Sequence, residues 1–306
     1  MRAPDVRRPG TDASFAPPAG ARPGTSAAAP PARSGAATGT PAPAAAAPPR
    51  LVAETPAGEP TVPRAELAEW RERCGLVAGL TLRGENGGFS LGLATEEPVG
   101  QVMGRWRAFR HALAAGFPAA QLGRQVHSAS VVWHEGVAAG LHLADDVDGH
   151  ATAQRGLLLA VTIADCIPVY LAVGDGSACA LLHAGWRGIA AGVLERGVGL
   201  LAARSGVEPR DLLVHLGVGI CGDCYEVGPE VVRAVEGRAV ARAVPLDLRD
   251  ALAARAARLG IREVTRSVHC TSCSRDRFFS HRGSGGRDGR MVAYLGRPLD
   301  GTGGAA

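Results

Sequence analysis

The chain has 306 residues, a formal net charge of +4 and only 4% aromatic residues, which does not make a nucleic-acid footprint. Asp165 and Pro168 break its longest apolar run short of the roughly 18 residues of a membrane span, so no membrane partner is expected. There is no Lys anywhere, which excludes a P-loop lysine and a Schiff-base or pyridoxal lysine.

Residues 1–63 hold most of the 21 prolines, with Ala, Gly, Ser and Thr filling much of the remainder. Such a segment buries too little to offset its ordering entropy and is read as a disordered tail. Its Arg-containing start is followed by no apolar h-region, so it is not read as a signal peptide. Seven Cys, an odd number, then suggest a reducing, cytoplasmic setting in which thiols serve as ligands or nucleophiles. Residues 64–300 suit one large domain.

Along that domain, 66–76 read as a short helix and 79–93 as strand ends around a Gly-rich turn. A helix is expected over 99–116 and a strand from His127 to 136. Strands follow at 156–166, 167–173 and 178–185, then an amphipathic helix over 188–206. The rest reads as a strand at 212–220, helices at 229–237 and 247–261, and a last strand at 291–296. Strands and helices intermix, so the class is α/β with a mixed sheet.

The apolar run LLLAVTIADCIPVYLAV (157–173) contains Asp165 and Cys166 side by side, a costly pair to bury without a purpose. Cys166 falls at a strand end, His127 opens another strand and His183 closes a third; such ends commonly converge on one edge of an α/β sheet. Two imidazoles and a thiolate would give zinc three protein ligands and leave a fourth position open, with Asp165 orienting a ligand His or acting as acid/base. Spacing alone leaves the other reading open, in which these are satisfied core histidines and a small buried thiol.

Five blocks in order, QVHSASVVW, DGHATAQRGLLLAVTIADCIPVYLAV, ACALLHAGWRG, GICGDCYEVG and CTSCSRDRFFSHRGSGGRDGR, resemble the multicopper polyphenol oxidoreductase ("laccase-domain") family from about Gly79 to Leu295. The resemblance implies an α/β sandwich of mixed sheets flanked by helices. It also implies purine nucleoside phosphorylase activity with adenosine deaminase activity, or peptidoglycan editing. The family's metal ligands fall on His127, Cys166 and His183, which makes zinc the expected cofactor, with copper possible. Two departures bear on substrate detail: Ser90 stands where the family usually has Asn, and Val218 where it has Pro.

Nucleoside and phosphate are the expected small-molecule partners. Arg187 follows Trp186 at a helix start, where backbone N–H groups and the dipole favour an anion, and Arg290 ends the last family block; both are read as phosphate ligands. Trp186 is a candidate purine stacker, whereas Phe278 and Phe279 read as core. The pairs Cys221/Cys224 and Cys270/Cys273 could build a four-thiolate zinc. The 45 residues between them exceed the ribbon spacing of about 15–20, however, and favour separate buried or site-lining thiols.

Competing functions are a metal-free hydrolase editing peptidoglycan precursors, with Cys166 as nucleophile and His183 or His127 as base, and a binding protein with a vestigial triad. A copper-dependent polyphenol oxidase is the third. A multicopper cluster needs paired His-x-His ligands, and none of the nine His residues is two positions from another.

Overall fold

The computed structural model describes residues 48–93 and 96–300. The chain begins with β1 (Arg50–Val52), β2 (Thr55–Ala57), β3 (Arg64–Glu66), α1 (Ala68–Cys74), β4 (Val77–Thr81) and α2 (Val99–Leu113). It continues through β5 (Ala119–Arg124), β6 (Val131–His134), β7 (Gly140–Asp145), β8 (Gly149–Thr152), β9 (Leu157–Ile163), β10 (Ile167–Val173) and β11 (Cys179–Ala184). Then come α3 (Trp186–Ala190), α4 (Val193–Ser205), β12 (Leu212–Leu216), β13 (Glu226–Val227), α5 (Pro229–Glu236), β14 (Val244–Pro245), α6 (Leu248–Arg258), β15 (Glu263–Ser267) and β16 (Met291–Gly296).

Two seven-stranded mixed sheets result, ordered β1-β15-β12-β10-β11-β8-β6 and β2-β3-β4-β16-β9-β5-β7. The period-two alternation of side chains assigns each strand two faces. In β10, Ile167, Val169, Leu171 and Val173 pack under α3 to α6, whereas Tyr170 and Ala172 face the second sheet. In β9, Leu157, Leu159, Val161 and Ile163 meet that same inter-sheet core, and Leu158 and Ala160 turn outward to Trp106 and Phe109 of α2. The layers are therefore helices, sheet, sheet, helix: an α/β sandwich, as the family resemblance implied. None of the described helices is long and apolar enough to cross a membrane.

The run at 157–173 is thus two strands in different sheets, joined by Ala164–Cys166. The same crossing occurs twice more. Strands β5, β7 and β9 lie parallel in the second sheet, and each hands the chain to the first sheet as β6, β8 and β10. Strands β11 and β12 run antiparallel to β10, so their C-terminal ends reach the edge where β10 begins, and β15, parallel to β12, ends there too. Strand β16, antiparallel to β9, starts at that edge. One rim therefore collects three crossovers, three strand ends and the loop preceding β16.

Several expectations need correction. The helix expected over 188–206 is broken at Gly192, whose φ of 86° ends α3 and starts α4. His127 does not open a strand; it lies in the crossover before β6, with φ 60°. The tail assigned to 1–63 is structured in its last part, because β1 pairs with β15 and β2 with β3. Between them Glu54 is buried; it pairs with His215 Nε2 at 3.1 Å and accepts the Ser267 hydroxyl at 2.7 Å. Averaging composition over 63 residues hid this short segment, whose buried carboxylate answers a buried imidazole. Residues 1–47 of that reading lie outside the described ones.

Candidate metal centre

The rim brings His127, Cys166 and His183 together, their ligand atoms lying within 4.8 Å of one another. Each comes from a different part of the topology: His127 from the β5–β6 crossover, Cys166 from the β9–β10 crossover, His183 from β11 opposite Pro168. Cys166 Sγ stands 3.8 Å from His127 Nε2, and the two imidazole rings meet edge to face with centroids 4.8 Å apart. His183 is buried, Cys166 half-buried and His127 exposed, so the cluster opens to solvent on the His127 side. Gly185 makes room for it: a Cβ there would lie 2.9 Å from Cys166 Sγ and 2.8 Å from His127 Cδ2.

What orders the triad is Asp148, fully buried in the β7–β8 crossover and missed from sequence. Its Oδ1 binds His183 Nδ1 at 2.8 Å and accepts the His127 N–H at 3.0 Å. Its Oδ2 accepts the N–H groups of Val126 and Ser128 and the Ser128 hydroxyl at 3.2, 2.7 and 2.8 Å. These bonds hold the left-handed backbone at His127 and, by occupying Nδ1, leave Nε2 of His183 for the cluster.

The electrostatics agree with that arrangement. Burial works to raise the Asp148 pKa, but the His183 bond and the Ser128 donors outweigh it and hold the carboxyl down at about 2. Burial likewise opposes the Cys166 thiolate; the positive field of His183 and the His127 contact prevail and bring it to about 6. In turn burial disfavours the His183 imidazolium, yet Cys166 and Asp148 together push it up to about 9. A thiolate beside two imidazole nitrogens, one with its second nitrogen bonded to a carboxylate, is a donor set that could hold zinc or copper in place of the shared proton.

Asp165 does not orient a ligand histidine; Asp148 does. The Asp165 carboxylate accepts the Thr271 hydroxyl at 2.6 Å, the Ser280 hydroxyl at 2.8 Å and the Arg282 N–H at 2.6 Å, while its carbonyl accepts Ile220 N–H at 2.9 Å. These bonds hold φ 89° at Asp165 and so aim the adjacent Cys166 from the crossover.

Arg187 is exposed on α3, its guanidinium 4.4 Å over the Trp186 ring and, among the described residues, without an ion-pair partner. The five-residue α3 is too short to add much dipole, so the side chain's own charge carries any anion affinity. Arg290 is differently engaged: its guanidinium donates to the carbonyls of Asp288 and Gly289 at 2.9 Å each. Its N–H reaches the Ser90 hydroxyl at 3.1 Å. Phe278 and Phe279 are core, as read. Tyr225 was not foreseen: burial raises its phenol pKa first, then the charges of Cys166 and Asp165, with Arg282 and Arg187 opposing, which sets it among these groups. Arg282 lies 4.9 Å over its ring.

The two CxxC pairs, read as separate because of the interval between them, converge at the same rim. The sulfurs of Cys221, Cys224, Cys270 and Cys273 lie within 4.8 Å of one another, and all four cysteines are free.

Two mixed sheets crossing over at a rim that carries two imidazoles and a thiolate define an α/β sandwich protein with an open metal-ligand triad. The pattern of the family described as multi-copper polyphenol oxidoreductase laccase matches residues 78–298, and the chain belongs to that family. The purine nucleoside phosphorylase YlmD of Geobacillus stearothermophilus is 36% identical over 164 residues, covering 49% of this chain and 60% of that protein. Adenosine deaminase RL5, from an unknown prokaryotic organism, is 32% identical over 165 residues, covering 49% and 62%. These alignments thus span about three-fifths of each relative's length. The crystal structure of YlmD from Geobacillus stearothermophilus is similar with a TM-score of 0.71 at 28% identity, covering 80% of this chain and 99% of that one.

Proposed function

We propose that the chain is a cytoplasmic, zinc-dependent purine nucleoside phosphorylase acting on adenosine, inosine or methylthioadenosine, with a second activity that deaminates adenosine. The observation that carries the reading is the triad His127, Cys166 and His183, three ligands with an open side, in a chain whose relatives bear those two activity names. Zinc held there supplies Lewis-acid chemistry at a free coordination position.

The chain's own residues do the remaining work. Asp148 keeps the Nδ1 proton on His183 and fixes the ring's orientation. Arg187 holds phosphate through its unpaired guanidinium, while Arg290, bonded to its own loop, has less to offer an anion. In phosphorolysis a phosphate oxygen bonds to C1′ as the C1′–N9 pair leaves with the base, which is then protonated. In deamination water adds at C6 and ammonia departs.

The experiment follows adenine and inosine release from adenosine by the purified full chain at varied phosphate. Adenine release should require phosphate and inosine release should not. Arg187→Ala should lower phosphorolysis roughly thirtyfold to a hundredfold, the worth of a charge-assisted contact of about 2–3 kcal/mol, and spare deamination. Arg187→Lys should restore part of it. Equal losses in both reactions would move the phosphate elsewhere. No purine product from zinc-replete protein, beyond that of Cys166→Ala, would overturn the reading.

A further inference from the structure

We propose that Cys221, Cys224, Cys270 and Cys273 hold a second metal ion, a structural zinc with four thiolate ligands, independent of the reaction at the first site. The topology builds this cluster. Strands β12 and β15 are adjacent and parallel, so the segments leaving their C-terminal ends emerge side by side. A bridge between Gly219 and Cys270 continues the pairing beyond the strands, with Thr271 N–H donating to the Gly219 carbonyl at 3.1 Å. Most of the 45 intervening residues belong to the crossover that a parallel pair requires, including α5 and α6, and β15 itself completes them.

Each CxxC segment then folds back on itself. Cys224 N–H donates to the Cys221 carbonyl at 3.2 Å, and Ser274 N–H to the Cys270 carbonyl at 3.1 Å. Across the two turns, Cys270 Sγ accepts the Cys221 N–H at 3.3 Å.

The distances fit one ion. Tetrahedral coordination with Zn–S bonds of about 2.3 Å places sulfurs about 3.8 Å apart. Cys273 Sγ lies 3.9 Å from Cys221 Sγ and 3.5 Å from Cys224 Sγ. All four fall within 4.8 Å. With no imidazole or carboxylate among the ligands, a soft tetrahedral sulfur set selects zinc over hard cations. Four protein ligands leave no open position, so the site is structural and not catalytic.

The cluster also has something to hold. Cys270 precedes Thr271, and Cys221 follows Ile220; those two neighbours bond the carboxylate and the carbonyl of Asp165. A metal joining the two segments would therefore fix the crossover that presents Cys166.

The test is metal content and ligand type in the full chain purified without added metal. Wild-type protein should carry two zinc ions per chain, and Cys166→Ala one. X-ray absorption at the zinc of Cys166→Ala should report four sulfur neighbours at about 2.3 Å. Cys273→Ser, at the exposed cysteine, should lose this ion, and Cys273→His should regain it. Because the Cys166→Ala measurement leaves the four cysteines intact, it decides the matter even if Cys273→Ser does not fold. Folded Cys166→Ala with no zinc, with zinc bound through nitrogen or oxygen, or with these cysteines paired as disulfides would overturn the proposal.

Discussion

Replacing Asp148 by Asn keeps the side chain's shape and removes its charge and half of its accepting capacity. Five donors converge on the carboxylate, two on Oδ1 and three on Oδ2. An amide can turn its one carbonyl oxygen to only one of those groups. The better choice serves Val126 and Ser128, which leaves an NH2 facing His127 N–H and His183 Nδ1. Two hydrogen bonds to a charged group are then forfeited at roughly 1.5–3 kcal/mol each, so the expected loss of folding free energy is about 3–6 kcal/mol. The imidazole of His183 also loses the partner that fixes its tautomer, which should weaken zinc binding about 10- to 100-fold. Urea denaturation of the metal-free protein reads the first effect, and zinc competition against a chelator reads the second. An Asn variant with an unchanged denaturation midpoint and zinc affinity within about twofold of the parent would refute the claim that Asp148 organises the triad.

Gly185→Ala puts a methyl 2.9 Å from Cys166 Sγ and 2.8 Å from His127 Cδ2, so metal content should fall while the metal-free fold loses only about 1–3 kcal/mol; normal zinc stoichiometry in the variant would contradict this. Glu54→Ala leaves His215 and Ser267 buried without their carboxylate and should cost about 3–5 kcal/mol by urea denaturation, and a chain starting at Arg64 should lose at least as much. His150 is buried, and burial followed by the neighbouring His134 brings its pKa down to about 3 from 6.5. Its neutral form is the folded one, so stability is unaffected above the unfolded pKa and declines as pH falls below it, by about 2 kcal/mol near pH 5. His150→Gln should flatten that decline, and an unchanged slope would count against the assignment.

The sequence by itself determined an α/β class with a mixed sheet and marked His127, Cys166 and His183 as candidates, while the sandwich and the ligand roles came from the resemblance of five ordered blocks to a known family. Runs such as 157–163 and 179–184 are too apolar to stand anywhere but inside, but a Cys and two His at strand ends also suit a buried thiol and satisfied core histidines until the rim brings their ligand atoms together. The N-terminal strands escaped because β1 and β2 are three residues long and owe their place to partners far along the chain. Asp148 was illegible for a similar reason. In DDVDG it looks like any solvated turn, and only the passage from one sheet to the other buries it under His183. Asp165 could be recognised as costly but not assigned its partners, since Thr271, Ser280 and Arg282 lie more than a hundred residues away. The four cysteines show the limit most plainly: spacing measures distance along the chain, whereas parallel pairing of β12 with β15 sets distance in space, because a parallel pair must return through a long crossover before its ends can meet.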